Sequence, residues 1–507
     1  MVTQIIDTSA LQQTHFFPKK TCAASRLGPI ERKDLSLQVL TGTESVSWLA
    51  QDYGVSRKFL YQQAAKASEA LDETFRAPAD DEKVLFYLPV TKDWIRQFVL
   101  ALILIGHSSF RGVIDILDTV FDYRHVSLGT IHNIVSEAVQ KAQQINNAQD
   151  LCGIRVGIAD ELFQASKPVL VGMDAKSTYC YLLAAEEHRD ETTWGVHLLE
   201  LAEKGLAPDY TIADCGSGLR AGQAAAWDNV PCHGDVFHAE RQLGNLAFFL
   251  QNRAAGCTTM WQKLERQMQR AKHQGQGQSL SKKLAQARQA QAEAVSLAED
   301  IGVLADWMNN DILSPAGPDL TTRQQLYDFV VEELRIRESL HSHRIRPVRR
   351  MLENHRDNLL AFVGVLDERF ADLAARFHVP LFLVQAVGEL QSWDKNLPAY
   401  WQRQAQLRKA LPDRFDRLQS AVREVLSETP RASSLVENLN SRLRNYFFLR
   451  RQIGNDYLDL LRFFFNHHRF RRSDRDERIG KSPTELLNGQ AHPHWLELLS
   501  FQRFQQN

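Results

Sequence analysis

Four short runs rich in β-branched and aliphatic residues decide the fold: IRVGIAD at 154–160, PVLVGMD at 168–174, TYCYLLAAE at 178–186 and DYTIAD at 209–214. Each run has the length and composition of a buried strand. An amphipathic pattern from about Glu191 to Lys204 lies between the third run and the fourth and predicts a helix. A second helical pattern, from about Leu219 to Trp227, precedes PCHGDVFH at 231–238. This order predicts a mixed sheet flanked by helices.

The composition describes a globular chain of several domains. The chain has 507 residues, 24% charged and 44% hydrophobic, with a net charge of -1, and this length exceeds what one core supports. Its six cysteines stand singly, without a CxxC pair, as expected in a reducing compartment. The longest apolar run, FVLALILI at 98–105, is too short to cross a bilayer. We therefore expect a cytoplasmic protein without a membrane partner.

The N-terminal part of the chain carries a candidate DNA-binding domain. Residues 1–40 show no sustained period, and we expect a loosely ordered segment. Between residues 41 and 76 two helical patterns flank a turn at Gly54, and Ser56 is placed to cap the second helix, which is the spacing of a helix-turn-helix. A small helical hairpin without a DNA partner is the alternative. The side chains that would face DNA are Arg57, Lys58, Tyr61 and Gln62.

A second helical domain is predicted over residues 90–148, from the stretches FRGVIDILDTVF and SLGTIHNIVSEAV. Ser127 is placed to cap the second of these stretches. Two interpretations are equally open for this domain. It is either another DNA-binding unit or a helical connector that packs against the core.

Residues 246–430 are helical in pattern and interrupt the α/β core, which we place at 150–245 and 431–490, followed by a tail at 491–507. Within this all-helical insertion, the segment 335–356 holds seven arginines against two acids. Such a density of positive charge suits phosphate binding, and a solvated surface helix pair is the alternative. The arginines assigned to DNA are Arg344, Arg346, Arg349 and Arg350.

Three carboxylates are candidates for metal-dependent chemistry. Asp160 and Asp214 each end a strand, and the ends of adjacent strands lie close together. Oxygen ligands suit Mg²⁺, and two such ions about 4 Å apart drive in-line displacement at phosphorus. Glu437 is the third candidate, on a helix that begins near Ser433 or Ser434. A turn or cap role is the alternative for each acid, because Ser434-x-x-Glu437 is also a capping-box pattern.

The set of motifs resembles the DDE transposases of bacterial insertion sequences and, more distantly, the Mutator group. The resemblance covers about residues 150 to 490. The stretch Glu437-Asn-Leu-Asn-Ser-Arg-Leu-Arg444 is similar to the helix that carries the last acid in those proteins. Asp235-Val-Phe-His238 resembles their Cys/Asp-x-x-His motif, and FFFNHHRFRRSDRDERIGKSPTELL at 463–487 resembles the basic end of integrase-like cores.

The resemblance implies a ribonuclease H-like catalytic core interrupted by a large all-α insertion, with an N-terminal helix-turn-helix. It implies cleavage at transposon ends and strand transfer into target DNA, with two Mg²⁺ or Mn²⁺ ions held by Asp160, Asp214 and Glu437. His238 would position the scissile phosphate or the attacking water, with Asp235 orienting its ring. The partners implied are double-stranded DNA, as terminal inverted repeats and as target, and further copies of the chain in the DNA complex.

In the basic C-terminal part we assign Arg444, Arg469, Arg471 and Arg472 to the DNA backbone, because a phosphoryl-transfer site must offset the repulsion between its own acids and a polyanion. The interleaved aromatic residues, such as Tyr446 and Phe463, are expected in the core.

Several alternatives stay open at this point. The gap from Asp214 to Glu437 is long, so Glu424 and Glu428 are fallback candidates for the third acid. Asp174 rivals Asp160 but falls on the second strand, away from the expected metals. A ribonuclease H-like nuclease without strand transfer and a non-catalytic DNA-binding regulator are the rival functions.

Overall fold

The computed structural model describes residues 23–75, 86–214, 216–273, 278–431, 434–450 and 452–503. The chain divides into two compact units, one reaching to Pro89 and the other beginning at Val90. It is mostly helical, with one mixed sheet of five strands in the second unit.

The first unit packs three helices around a small core. Its helices are α1 (Pro29–Thr41), α2 (Val46–Asp52) and α3 (Arg57–Phe75), after a 3-10 turn at Ala23–Ser25. The core consists of the buried side chains Leu35, Leu49, Val55 and Leu60.

Helix α1 differs from the loosely ordered segment that we expected up to residue 40. Pro29 begins the helix, and the carboxylate of Glu31 accepts a hydrogen bond of 2.7 Å from the Gly28 amide. Leu35 is its one buried apolar side chain, so no periodic stripe marks the helix in the sequence. The part of the expected loose segment from residue 1 to 22 lies outside the described residues.

The predicted turn between α2 and α3 is present. Gly54 has a φ of 63°, a left-handed conformation that glycine adopts without a steric penalty. The Ser56 hydroxyl accepts a hydrogen bond of 3.1 Å from the Phe59 amide, as expected for the cap of α3. Val55 and Leu60 are both buried against α1 and α2.

The second unit begins with α4 (Lys92–Leu104), α5 (Phe110–Phe121) and α6 (Leu128–Ala148). The predicted cap of α6 is present, since the Ser127 hydroxyl accepts from the Thr130 amide at 3.1 Å. Side chains such as Val99 and Ile131 share one hydrophobic core with Ile158 of the sheet. This is the packing that a helical connector requires, and the region has no core separate from the sheet.

The sheet contains β1 (Val156–Gln164), β2 (Lys167–Asp174), β3 (Cys180–Ala185), β4 (Tyr210–Ala213) and β5 (Cys232–Gly234). Its order is β3-β2-β1-β4-β5. Strand β2 runs antiparallel to β1 and β3, whereas β4 is parallel to both β1 and β5. Helices α7 (Glu191–Glu203) and α8 (Ser217–Ala226) separate β3, β4 and β5 along the chain. The predicted succession of three strands, a helix, a strand and a helix is therefore confirmed.

The region between β5 and the last part of the core is helical throughout its described residues. It contains α9 (Val236–His273), α10 (Gln278–Trp307), a π-helical turn at Met308–Ile312, α11 (Leu320–Arg337), α12 (Ser342–Phe377), α13 (Leu381–Leu390), α14 (Pro398–Ala410) and α15 (Phe415–Glu428). These helices bury a core of their own, which includes Leu243, Ile301 and Phe362.

Helix α12 joins this helical region to the sheet. A Cβ atom added at Gly234 of β5 would lie 3.0 Å from the Leu359 side chain and 3.2 Å from the Asn358 backbone. The helix therefore packs against β5, the edge strand of the sheet.

The chain returns to the sheet through α16 (Ser434–Leu449) and α17 (Asn455–His467), followed by α18 (Pro483–Asn488) and α19 (Trp495–Leu498). The two faces of the sheet are covered differently. Ile158 and Leu162 of β1 pack with residues of α6, α16 and α17. Ala159 packs on the opposite face, with Trp194 of α7 and Leu219 of α8. By the alternation of a strand, Asp160 shares the face of α16.

No single helix in the described ranges has the length and apolar composition needed to span a membrane. The two helices Ser342–Phe377 and Leu381–Leu390, which meet at a bend of 118°, have that length and composition only when they are taken together.

Candidate active site

Three aspartates share one register position across neighbouring strands. Ala159 of β1 pairs with Ala213 of β4, which pairs in turn with Gly234 of β5. The next residues are Asp160 within β1, Asp214 directly after β4 and Asp235 directly after β5. The prediction that Asp160 ends its strand was wrong, because β1 continues to Gln164 in antiparallel pairing with β2. The Asp235 amide extends the ladder by donating to the Ala213 carbonyl at 2.9 Å. The predicted proximity of Asp160 and Asp214 is thus provided by the sheet, and Asp235 continues their row.

Helix α16 brings two further polar side chains to this row. The Asn440 amide donates a hydrogen bond of 2.7 Å to Oδ2 of Asp160, and Glu437 lies one helical turn earlier. Glu437 has a side chain that is 20% exposed, with its carboxylate 3.7 Å from Nη1 of Arg241 and 3.7 Å from Nη2 of Arg444. The helix therefore carries the third predicted acid to Asp160. The capping alternative for Glu437 names Ser434, which is the first residue of α16, and the side chain of Ser434 lies outside the part of the chain that the structure describes.

The environment of Asp160 disfavours its charged form. The residue is 6% exposed, and burial raises its pKa to about 6, because a carboxylate loses hydration in an apolar surrounding. The Glu161 amide, the charge of His238 and the Asn440 amide counteract this rise, whereas the charge of Glu437 adds to it. A cation bound at this carboxylate would favour the ionised form.

His238 is held by Asp235 at the beginning of α9. Nδ1 of His238 lies 2.5 Å from Oδ2 of Asp235, and the other oxygen of Asp235 accepts from the Phe237 amide at 3.0 Å. This hydrogen bond raises the pKa of His238 against the opposing effect of burial, and the charges of Asp235, Asp160 and Asp214 raise it further. The contact required for Asp235 to orient His238 is present. The role of the pair in chemistry stays a prediction.

The carboxylates at this site meet some of the requirements of a hard divalent cation. In the described portion of the chain, no three Asp, Glu, His or Cys side chains stand close enough together to form a ready-made metal site. Carboxylate oxygens are nevertheless the ligands of Mg²⁺ and Mn²⁺, and Mg²⁺ commonly takes one or two of them and completes its shell with water and phosphate. The carboxylates of Asp160 and Asp214 suit the role of such ligands. The carboxylate of Glu437, in contrast, already pairs with Arg241 and Arg444.

The other candidate acids lie elsewhere. Asp174 pairs with Gly157 near the start of β1, and its carboxylate accepts from the Ser177 amide at 2.7 Å, which closes the turn after β2. Glu424 and Glu428 line a cavity of about 1260 Å³ together with Val156, the first residue of β1. All three acids therefore lie toward the beginning of β1 and not at the position of Asp160.

Two of the four insertion arginines assigned to DNA are engaged in ion pairs. Arg346 pairs with Glu338, and Arg349, which is 9% exposed, contacts Glu338 at 2.7 Å and also Glu353. Arg344 stacks over the ring of Phe249 at 4.5 Å. A DNA contact by Arg346 or Arg349 would have to replace these ion pairs. The alternative of a solvated surface helix pair did not predict these ion pairs, because Glu338 lies on a separate turn before α12.

The basic C-terminal part divides into two groups. Arg469 contacts Glu485 at 2.6 Å and the His492 carbonyl at 2.8 Å, so it holds the C-terminal segment together rather than standing free for DNA. Arg471 and Arg472 are exposed. Four of the interleaved aromatic side chains are buried in the core, as predicted: Tyr446, Phe463, Phe464 and Phe465.

Helix α16 also presents an aromatic side chain that we did not expect outside the core. Phe448 is 91% exposed, and it follows Glu437, Ser441 and Arg444 along one helical face. On α3 of the first unit, the predicted DNA-facing side chains are all exposed: Arg57, Lys58, Tyr61 and Gln62.

Sequence reasoning did not single out Asn440 or Arg241 as site residues. The three-residue spacing from Glu437 to Asn440 on a helix would have indicated the first. The same spacing from His238 to Arg241 would have indicated the second.

Comparison of the sequence with models of protein families finds no matching family, and no curated protein sequence matches it significantly.

Proposed function

We propose that this chain is a DDE-type DNA transposase, which cleaves DNA at the ends of a mobile element and joins those ends to target DNA. The observation that carries the proposal is the arrangement around Asp160. Asp214 stands next to it in register, and α16 places Glu437 beside it through the 2.7 Å hydrogen bond from Asn440.

The strand arrangement supports a ribonuclease H-like core. Five strands lie in the order β3-β2-β1-β4-β5, with β2 as the strand that runs against the others. Helices cover both faces of this sheet, and an all-helical insertion lies between β5 and the helix of Glu437. The order of motifs that resembles DDE transposases is therefore matched by an order of elements that suits them.

The reaction proposed is a pair of in-line displacements at phosphorus. In the first, a water oxygen attacks the phosphorus at the element end, the P–O3′ bond breaks, and the 3′ oxygen leaves as a hydroxyl. In the second, that 3′ hydroxyl attacks a target phosphodiester, and the target 3′ oxygen leaves in the same manner. Each step forms one P–O bond and breaks one, so no external energy source is required.

Asp160, Asp214 and Glu437 would hold two Mg²⁺ or Mn²⁺ ions, which lower the pKa of an attacking oxygen and stabilise the leaving one when bound. The protein's own groups supply positioning. Asp235 fixes the ring of His238 through Nδ1, which leaves Nε2 to donate to a phosphate oxygen or to hold a proton of the attacking water. Arg241 and Arg444 flank Glu437 and offset the charge that a phosphate would meet there.

DNA recognition is assigned to the first unit. The short helix α2, the turn at Gly54 and α3 have the order of a helix-turn-helix, in which the second helix enters the major groove. Arg57, Lys58, Tyr61 and Gln62 lie on the exposed surface of α3, within its first turns. We assign them to base edges and phosphates of the terminal repeat.

The proposal is tested with the full chain, Mg²⁺ and a duplex that carries the terminal inverted repeat found in the DNA flanking the gene. Wild type is expected to give both cleaved and joined products. Asp160→Ala, Asp214→Ala and Glu437→Ala are each expected to abolish both products while retaining DNA binding. Glu424→Ala is the matched control, because this exposed acid lies outside the site.

Each outcome discriminates between functions. Cleaved but never joined DNA would favour a nuclease, and binding without metal-dependent cleavage would favour a regulator. Full activity of any one of the three alanine variants would remove that residue from the proposed site.

A further inference from the structure

Helix α12 is interrupted at one residue. It runs from Ser342 to Phe377, but His355 has φ -118° and ψ 16°, outside the helical region. Sharp bends usually come from proline or from a side chain that disturbs the hydrogen-bond ladder. Pro347 lies eight residues earlier in the helix, too far to account for the bend at His355. Locally unfavourable backbone of this kind is concentrated at functional sites.

The bend lies beside the row of aspartates. Asn358 and Leu359, one turn after His355, are the residues of α12 that approach Gly234 of β5 most closely, at 3.2 and 3.0 Å from a Cβ placed there. Gly234 pairs with Ala213, the residue before Asp214. Consistent with this position, burial lowers the pKa of His355, the charge of Arg220 lowers it further, and the charge of Asp214 raises it.

Two polar atoms at this place have no partner among the residues that the structure describes. They are Nδ1 of His355 and Nη2 of Arg220, both of which are shielded from solvent. Arg220 is fixed by its other nitrogens, which point to the carbonyls of Asp214 at 3.4 Å and Cys232 at 3.3 Å. Buried polar atoms are normally hydrogen-bonded, so an acceptor that meets the N–H of Arg220 and, in the tautomer that carries the proton on Nδ1, the N–H of His355 would complete the arrangement.

We propose that His355 and Arg220 form a subsite for a phosphate oxygen beside Asp214, through which the helical insertion binds the DNA strand held in the site. This inference rests on the proposed function, since the phosphate is that of the DNA substrate. A phosphodiester oxygen carries negative charge and accepts two hydrogen bonds at once, one from the guanidinium and one from an imidazole N–H. Both side chains are partly exposed, and binding requires the imidazole ring and the guanidinium to turn their shielded nitrogens toward the strand.

The subsite gives the insertion a direct role in the site. Every residue of α12 follows Asp214 by more than 100 positions in the sequence. The bend in α12 nevertheless brings His355 close to that acid. His355 is a binding residue in this proposal, and the transfer reaction itself is left to the acids.

The test measures binding, so that it does not depend on turnover. Duplexes carrying the terminal repeat are made with a neutral methylphosphonate in place of one phosphate at a time, and the Kd of the full chain is measured for each. Wild type is expected to lose affinity at the phosphate held by the subsite, by roughly tenfold. In His355→Ala that position is expected to become nearly insensitive to neutralisation, while the other sensitive positions keep their effect.

The controls separate the subsite from general damage. His341→Ala is the matched variant, because His341 stands at the start of the same helix, about 21 Å away along its axis at 1.5 Å per residue, and its Nδ1 is likewise without a partner in the described residues. It is expected to keep the wild-type pattern. His355→Asn, which retains a donor close to the position of Nδ1, is expected to keep part of the sensitivity and covers the case in which His355→Ala does not fold.

An unchanged pattern in both His355 variants would overturn the subsite. If wild type shows the pattern but never cleaves the duplex, the subsite stands and the catalytic part of the proposed function fails. If wild type cleaves and no position depends on His355, the proposed function stands and the subsite fails.

Discussion

Asn440 donates a hydrogen bond of 2.7 Å to Asp160 across a separation of 280 residues. The bond connects the first strand of the sheet to the helix that follows the insertion. It therefore joins the two separate parts of the α/β core at the position where the candidate acids meet. Because Glu437 lies one turn from Asn440, the same bond fixes how far Glu437 stands from Asp160.

The buried carboxylate of Asp160 is predicted to reduce stability when it is ionised. Its pKa is raised to about 6 in the folded chain, so the folded state binds a proton more tightly than the unfolded state does, and stability falls as pH rises from about 4 to about 6. Asp160→Asn should stabilise the metal-free protein at pH 7, by an amount on the order of 2–3 kcal/mol.

Thermal unfolding of wild type and Asp160→Asn in EDTA, at pH 7 and at pH 4, measures this effect. The gain should shrink at pH 4, where Asp160 is protonated in the folded chain and about half protonated in the unfolded chain. A gain of equal size at both pH values would show that ionisation is not its cause. The variant should be inactive in cleavage despite its higher stability.

Arg469 is predicted to contribute to stability rather than to DNA affinity. Its Nε and Nη2 both donate to the Glu485 carboxylate, and Nη2 also donates to the His492 carbonyl. Burial raises the pKa of Glu485, but the bonds from Arg469, Ser482 and His492 outweigh it and lower the pKa to about 2. A depressed acid pKa stabilises the fold at pH above about 4.5, and this contribution is lost as pH falls through about 2. Arg469→Ala should lower Tm at pH 7, and unchanged stability would refute this role.

Arg471 and Arg472 are predicted to contact the DNA backbone. Both are exposed, and no ion pair engages either within the described residues. Replacing one of them by Ala should reduce the slope of log affinity against log salt by nearly one, equally for specific and random DNA, and leave Tm unchanged. Titration of labelled duplexes at several salt concentrations measures the slope. A slope that stays at the wild-type value in the double variant would place this segment away from DNA.

The start of α3 is predicted to read the terminal repeat. Arg57→Ala should weaken binding to the repeat by roughly tenfold to a hundredfold and relax the preference for one base pair, as expected for a side chain at a base edge. Lys58→Ala serves as the comparison on the same turn. Competition between the repeat and random duplex separates the two roles, because an equal loss on both DNAs would assign the residue to phosphates.

The parts of the fold that follow from local pattern could be predicted. The runs that include Asp160 and Asp214 have a strand's composition, and adjacency in one sheet is enough to bring those two acids together, although β1 continues past Asp160 to Gln164. Helix α1 escaped prediction because a single buried leucine gives no period. The ion pairs of Arg346 and Arg349 with Glu338 escaped it for another reason, since arginine density indicates charge but says nothing of which acids a neighbouring turn supplies.

The remaining site residues depend on long-range packing. Asp235 joins the aspartate row only because β5 pairs in register with β4, and a strand of three residues gives little signal of its register. His355 belongs to a helix whose amphipathic pattern predicts nothing about a bend. Its position beside Asp214 follows from the contact of α12 with Gly234, which no local pattern contains.

The packing of α12 against β5 has a consequence for synthesis on the ribosome. Gly234 precedes Leu359 by 125 residues, and translation proceeds at about 5–20 residues per second. For roughly 6–25 s after β5 is made, the nascent sheet lacks the helix that packs against its edge strand, and that strand can pair with other strands in the cell. Slower elongation through the insertion would lengthen that window, so the yield of native protein should depend on codon usage in the region that encodes 235–359 and on chaperones that shield unpaired strands.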